Sequence, residues 1–475
     1  MRAPVIVMAC LLVASVLEGC RVGPNYHPAA WPHGADAALV SRDATAESDQ
    51  PLPDAWWHLY NDGRLDALVQ EALHANESLV AANANLSAAR AVVSAARASQ
   101  YPSTSAGLGA VYGRDAVTDE ILEIGGHRPE TIWLFEDLFE SAYEVDLFGR
   151  VRRSIESARA NAESVAAARD GVRVEIAAET TRAYASICAV GAQIDVAHHS
   201  LDIVTHEAQI TASRRDAGAD SEFDVQRTQA LVAQVRATIP LLEGARQAAL
   251  FDLTALLGRT PADAPREVAS CVVIPHLSAL LPVGDGAALL RRRPDVRQAE
   301  RRLASATAQI GVATADLYPT IRLVGLYGGA ATEVPDLSRN VGLTWGLGST
   351  ISWNFPNQAG PRARIRQARA TQAAALASFD NVVLTALKET EQALSTYSAA
   401  LNNRAALGEA SDRIDSAFNI AHEQFQAGSL SNLDLLTTEQ TMVAVDAAVA
   451  ASNAALVRDQ IAVFKALGGG WRPQQ

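Results

Sequence analysis

Aromatic residues make up only 5% of this 475-residue chain, although 49% of it is hydrophobic. Alanine supplies much of that apolar share. It is the smallest packing side chain and the best helix former, so the composition points to long, closely packed helices rather than a thick globular core. No Lys/Arg-rich run offers a nucleic-acid footprint, and the net charge is −13, so that class is set aside. We read the acidity as a solvated surface rather than a cation-preferring lumen. Cysteine is scarce: Cys10, Cys20, Cys188 and Cys271 form no CxxC pair and no Cys/His cluster with metal-ligand spacing. Cys188 reads as a buried thiol on a helix, and the sequence leaves open whether it pairs with Cys271. The P-loop, GxSxG and HExxH patterns are all absent. The adjacent His198 and His199 read as solvated, so neither an enzyme nor a cofactor is expected. After the N-terminus no stretch approaches the ~20 apolar residues of a spanning helix. A chain of this kind crosses a membrane only as a β-barrel.

The N-terminus reads as an address. Arg2 precedes an apolar run from Val5 to Leu17, and Met1 to Gly19 has the build of a secretory signal. It ends in Leu17-Glu18-Gly19-Cys20, which resembles the lipobox of bacterial lipoproteins. In such proteins the Cys20 thiol takes diacylglycerol after cleavage before it, and the new N-terminus is acylated, commonly with palmitate. Glu18 departs from the small or hydroxylated residue usual at its position. Arg21, where an Asp tends to mean inner-membrane retention, points to the outer membrane.

The chain repeats itself. Tyr101-Pro102-Ser103-Thr104 answers Tyr318-Pro319-Thr320; Gly218 with Phe223-Asp224-Val225 answers Gly428 with Leu433-Asp434-Leu435; Ala255-Leu256-Leu257-Gly258 answers Lys465-Ala466-Leu467-Gly468. The expected organisation is a signal (1–19), a lipid-anchored extension (20–53), a first repeat (54–260), a linker (261–283), a second repeat (284–470) and a short tail (471–475). Each repeat reads as helix, strand pair, long helix, turn, helix. The strand pairs fall at about 101–148 and 319–355, the later helices at 150–258 and 361–467. The first helix is expected over about Asp62 to Gln100, and its counterpart from Pro294 to about Leu317. Arg291 to Arg293 read as a helix-start flank rather than a basic patch. Along 150–215 the apolar positions Ile155, Ala158, Ala162, Val165, Ala168, Val172 and Ile176 step by threes and fours. A helix of about 65 residues is about 100 Å long, which suits a rod or tube and not a compact domain. Pro240 is expected to interrupt and kink the helix after it.

Between 340 and 355 the residues alternate. Val341, Leu343, Trp345, Leu347, Ile351, Trp353 and Phe355 take one phase, and Gly342, Thr344, Gly346, Gly348, Thr350, Ser352 and Asn354 the other. Tyr143 belongs to a similar set with Phe139, Val145 and Leu147, against Glu140, Ala142, Glu144 and Asp146. Period-two alternation of this length fits strands with one lipid-facing side, with Trp345, Trp353, Phe355 and Tyr143 facing lipid. Four strands cannot enclose a lumen, since the smallest membrane barrels have about eight. Open edges are not tolerated in lipid, so the chain has to oligomerise. Three copies give twelve strands about one axis.

These features, with Val22-Gly23-Pro24-Asn25-Tyr26, Trp56-Trp57, Asp146-Leu147-Phe148-Gly149-Arg150, Arg292-Arg293-Pro294-Asp295-Val296 and Ala315-Asp316-Leu317-Tyr318-Pro319, resemble the outer membrane efflux protein family (TolC-like), in its NodT-type lipoprotein branch. The resemblance implies an α+β membrane protein. It would form a trimeric channel-tunnel, with a twelve-stranded transmembrane β-barrel (four strands per chain) on a long α-helical barrel in the periplasm. It further implies a homotrimer in outer-membrane lipid, partnered by a periplasmic adaptor and an inner-membrane transporter of the resistance-nodulation-division type, that expels drugs or other small toxic compounds. A duct for protein secretion and a structural trimeric coiled-coil surface protein are the rival readings. In relatives the periplasmic tip closes at the helix-turn-helix ends. Here the turns hold Gly218 and Gly428, and the expected aperture residues are Leu433, Thr437 and Gln440, with Asp224 and Arg227 from the first turn. Leu433 matches a constricting leucine of the relatives. Thr437 and Gln440 stand where Asp and Arg are common, so hydrogen bonds are expected to replace ion pairs there.

Overall fold

The structure is a computed structural model that describes residues 21–43, 45–114, 124, 131–277, 279–284, 286–338, 343–469 and 471. Cys10, Cys20, Val341 and Gly342 lie outside the described residues. Two short strands, β1 (Glu47–Ser48) and β4 (Leu281–Pro282), pair in parallel. Four longer strands, β2 (Ser103–Gly113), β3 (Ile132–Val145), β5 (Thr320–Ala331) and β6 (Leu343–Ser352), form an antiparallel sheet in the order β2-β3-β5-β6. The helices are α1 (Gly63–Ala75), α2 (Glu77–Ala98), α3 (Arg150–Asp216), α4 (Glu222–Leu256), α5 (Gly286–Arg292), α6 (Pro294–Ala315), α7 (Ala359–Gln426) and α8 (Asn432–Ala466). The chain divides into two compact units. One holds Met1–Ala29, Leu86–Val165 and Ala299–Phe379, and the other Ala30–Asn85, Ala166–Gln298 and Asp380–Gln475.

The first unit contains the four-stranded sheet and the N-terminal segment. Strand-to-helix junctions are set by side-chain caps. Asp146 accepts from the Val151 and Arg152 amides at 3.0 and 2.9 Å, which satisfies first-turn donors of α3. Phe148 stacks on Tyr318 with ring centroids 4.5 Å apart, tying one junction to the other. The segment 21–26 runs against the starts of these helices. Arg153, only 1% exposed, donates to the Val22 and Gly23 carbonyls and to Asn25 Oδ1. Tyr26 donates to Glu300 at 2.9 Å beneath the Arg301 guanidinium. The Val-Gly-Pro-Asn-Tyr motif is therefore a strap fastened to α3 and α6.

The second unit carries the main core. Trp56 stacks on Phe464 at 4.6 Å, and both are buried with Leu65, Val69, Ile187, Leu253 and Leu394. Cys188 and Cys271 form a disulfide across 83 residues. This replaces the reading of Cys188 as a buried thiol and answers the pairing that the sequence left open: the bridge staples α3 to the segment between the repeats. That segment lies so close to α3 that a side chain at Gly191 would meet the Cys271 carbonyl at 2.0 Å. Arg292 and Arg293 are clamps. Arg292 donates to the Leu52 carbonyl and pairs with Asp54. Arg293, 8% exposed, donates to the Ala466 carbonyl and pairs with Asp295 and Glu389.

The structure departs from the sequence reading in four further places. The first helix breaks at Asn76, whose side chain donates to the Leu256 carbonyl and accepts from the Ser78 amide, bonds that hold its backbone extended. Pro240 does not interrupt α4, which runs on as one helix. Strand β6 ends at Ser352, so Trp353 and Phe355 lie beyond the ladder. They stack on each other at 4.7 Å, and Trp353 donates to the Leu317 carbonyl. Finally α8, against expectation, is long and apolar enough for a membrane span by length and composition alone. Its apolarity is largely alanine and valine, and Leu456, Val457, Ile461, Val463 and Phe464 at its end pack into the core.

Candidate membrane sheet and periplasmic aperture

The sheet register sorts residues onto two faces, because directly paired residues point the same way. Trp345 pairs with Tyr327, and Tyr327 with Phe139, in one row across three strands. Ile351 with Ile321, Leu323 with Tyr143, and Tyr112 with Trp133 extend the same face. Trp345, Leu347, Leu108 and Ile351 on it are 67–88% exposed. The opposite face carries Glu136, Glu140, Glu144, Arg322, Thr344 and Thr350, with Leu138, Val324 and Leu326 among them. Glu144 takes a bidentate pair from Arg150. Apolar-out, polar-in alternation is the signature of a transmembrane β-barrel wall. Of the aromatics expected to face lipid, Trp345 and Tyr143 lie on the apolar face. Trp353 and Phe355 instead follow the strand. Among the described residues, the outer edges of β2 and β6 pair with no strand.

The turns between α3 and α4 and between α7 and α8 are built alike. Gly218 and Gly428 have φ of 79° and 74°, the left-handed conformation glycine adopts without strain. The Gly218 amide bonds the Arg215 carbonyl and the Ala219 amide the Arg214 carbonyl; Gly428 and Ser429 repeat this on Phe425 and Gln424. These paired bonds close the helix ends as a Schellman motif. Ser221 and Ser431 then cap the next helices, each accepting from the amide three residues on, at Asp224 and Asp434. Ser221 and Asp224 cap each other reciprocally. Those bonds hold the Asp224 carboxyl below its ordinary value, with the Arg227 charge a smaller cause. Asp224 is thus committed first to the cap, and Arg227 lies over the Phe223 ring at 5.6 Å.

At the start of α8 two faces separate. Leu435, Leu436 and Glu439 are buried, and Leu433, Thr437 and Gln440 are exposed at spacings of four and three, which put them on one stripe. Thr437 donates to the Leu433 carbonyl at 2.7 Å. The buried face meets α3 and α7. Phe425, 1% exposed, packs with Ala421 and Leu435 under the Arg214 guanidinium, and Asn432 donates to Thr211 at 3.0 Å. The sequence reading missed Arg214, which also pairs with Asp220 within its own turn. Among the described residues no group of three His, Cys, Asp or Glu is placed to hold a metal ion.

The sequence model of the family described as "Outer membrane efflux protein" matches residues 68–259 and 287–469. The chain belongs to the outer membrane efflux protein family. Its relatives include nodulation protein T of Rhizobium leguminosarum bv. viciae, 27% identical over 98% of this chain and 93% of the relative. The pyoverdine export outer membrane protein OpmQ of Pseudomonas aeruginosa is 28% identical over 90% of each. Among solved structures, the outer-membrane channel OprN is 33% identical and superposes with a TM-score of 0.88 over 96% of this chain and 100% of that one. This efflux protein therefore has the fold of an outer-membrane channel, and the outer membrane is where it acts. The two stretches matched each contain one strand pair and one tip.

Proposed function

We propose that this efflux protein is the exit duct of a pump for small toxic compounds, assembled as a homotrimer. Three sheets join β2 to β6 of the next copy and close a twelve-stranded barrel, with the apolar face to lipid and the acidic face to the lumen. The observation that carries this reading is the four-stranded sheet itself. It has one exposed, largely apolar face and, among the described residues, two unpaired edges, and a sheet of that kind is stable in lipid only once closed. Cys20 is the lipid anchor, and Arg21, paired with Glu156, sits where the 21–26 strap begins at the sheet-to-helix junction. The repeats span 54–260 and 284–470, and the tips at Gly218 and Gly428 are the aperture end. Leu433 narrows the opening, Thr437 and Gln440 line it with hydrogen-bonding groups, and Asp224 and Arg227 flank it. A periplasmic adaptor and an inner-membrane transporter, of the resistance-nodulation-division type, deliver the cargo. The pyoverdine export named for one relative is export of a small molecule.

Conductance of the purified protein in planar bilayers, with drug susceptibility of a deletion strain, tests the reading. Discrete channels and restored drug tolerance are the expected result. A protein that inserts but never conducts contradicts it.

A further inference from the structure

Behind the aperture stripe a carboxylate and an imidazole from two helices pair inside the packing, and a third ionisable side chain is buried on the facing side of α8. Glu207 of α3, with 4% of its side chain exposed, has Oε1 2.8 Å from Nδ1 of His422 on α7. Glu439 of α8 is 2% exposed and lies near enough to Glu207 for the charges to act on each other. Each is within a helical turn of apolar packing: Val204 and Leu436 with α4's Leu231, Val232 and Val235 on one side, Ala421, Phe425 and Leu435 on the other. Among the described residues, Glu207 Oε2, Glu439 Oε1 and His422 Nδ1 have no hydrogen-bond partner, so the Glu207–His422 contact is one of distance and charge rather than of aligned hydrogen bonding.

The other groups facing this cluster are few. His206 of α3 acts on Glu207, and Gln426 of α7 bonds His422 Nε2 at 2.6 Å. On α4 the charges flanking these packed residues are Arg227, engaged with Phe223, and Arg236, which is exposed. The next acid on α8, Asp446, answers to Asp415 and His199.

We propose that Glu207, His422 and Glu439 form a proton-operated latch, which holds the start of α8 against α3 and α7 while Glu439 is protonated and releases it when Glu439 ionises. The proposal rests on the reading of the tips as the aperture, because Leu433, Thr437 and Gln440 ride on the same turns of α8. Two carboxylates enclosed by apolar side chains repel each other and lose their hydration, and one imidazole does not balance both. Burial first, and then the Glu207 charge, push the Glu439 carboxyl up to about 8. Burial pushes Glu207 up as well, against the pull of His422. The sign follows. A carboxyl raised in the folded state favours the protonated form, so its contribution is complete below the ordinary glutamate range and is lost as pH rises through about 8. The latch is shut at neutral pH and opens in alkali.

The test uses the full-length protein in planar bilayers between pH 6 and pH 9.5. The open fraction of the wild type is expected to rise several-fold with a midpoint near 8. Glu439→Gln, which keeps the shape of the protonated acid, is expected to stay flat. Glu207→Gln, which removes the repelling charge, is expected to move the midpoint to lower pH. A second readout does not need a pore: nitroxide labels at Gln209→Cys and Thr441→Cys report the α3 to α8 distance in detergent. That distance is expected to lengthen from pH 6.5 to pH 9 in the wild-type background and to hold in Glu439→Gln. Lengthening without conduction at any pH supports the latch and overturns the aperture reading. Conduction whose pH response is the same in Glu439→Gln overturns the latch and leaves the duct.

Discussion

Leu433 and Arg153 show how single residues divide the work between passage and stability. Leu433 is 52% exposed, so about half of its surface gains nothing from burial within one chain. Its repeat counterpart Phe223 is 69% exposed at the same place in the other tip. Leu433→Ala is expected to raise conductance and to admit vancomycin in a susceptibility assay, and unchanged values in both contradict a constricting role. Arg153 is the opposite case, a buried cation with three acceptors in the 21–26 strap and one in Glu156. Arg153→Ala strands those acceptors and is expected to destabilise by about 3 kcal/mol in urea unfolding, with proteolysis beginning ahead of residue 30. Nothing in the sequence marked this arginine. Apart from Glu156, its partners lie more than a hundred residues away, and helical spacing reports that one pair but not the acceptors at Val22, Gly23 and Asn25. The same holds for Glu207, His422 and Glu439, which looked like ordinary solvated acids and a histidine on long polar helices.

At the scale of elements, period and turn chemistry were readable and connectivity was not. Steps of three and four along 150–215 gave α3 to within a residue, since 67 residues of one pattern leave little room for error. Alternation gave the core of β6 but overran its end. Trp353 and Phe355 keep the phase of the strand, and only the loss of ladder bonds after Ser352 stops it. Asn76 broke a helix whose apolar spacing gave no hint, because the bonds responsible reach residues far along the chain as well as Ser78. The disulfide could not be read from two cysteines in different contexts. It closes a loop across a separation of 83 residues, and the chain-entropy relation puts its stabilisation at about 4.5 kcal/mol. Replacing both Cys188 and Cys271 with Ala is expected to lower the midpoint of thermal unfolding; an unchanged midpoint contradicts that account. The matched caps give a finer test. Ser221→Ala and Ser431→Ala are each expected to remove about 1 kcal/mol and to do so additively, as the caps open different helices.

For the whole molecule, the sequence repeat, the strand pairs and the helix lengths together pointed to a duct before any coordinates. The register adds what the pattern alone leaves implicit. Rows such as Trp345, Tyr327 and Phe139 run straight across the sheet, so large apolar side chains line up from strand to strand, although Asp137 and Ser141 share their face. That exposed face and the two edges left unpaired among the described residues make the isolated chain an incomplete object. Assembly is therefore part of its stability, which is expected to depend on protein concentration in detergent. The most direct measurement is electron microscopy of the solubilised protein with class averages viewed down the long axis. A three-fold ring with a hollow centre and a wall of twelve strands is the expected result. A monomer with its sheet still open, or a solid rod, contradicts the account.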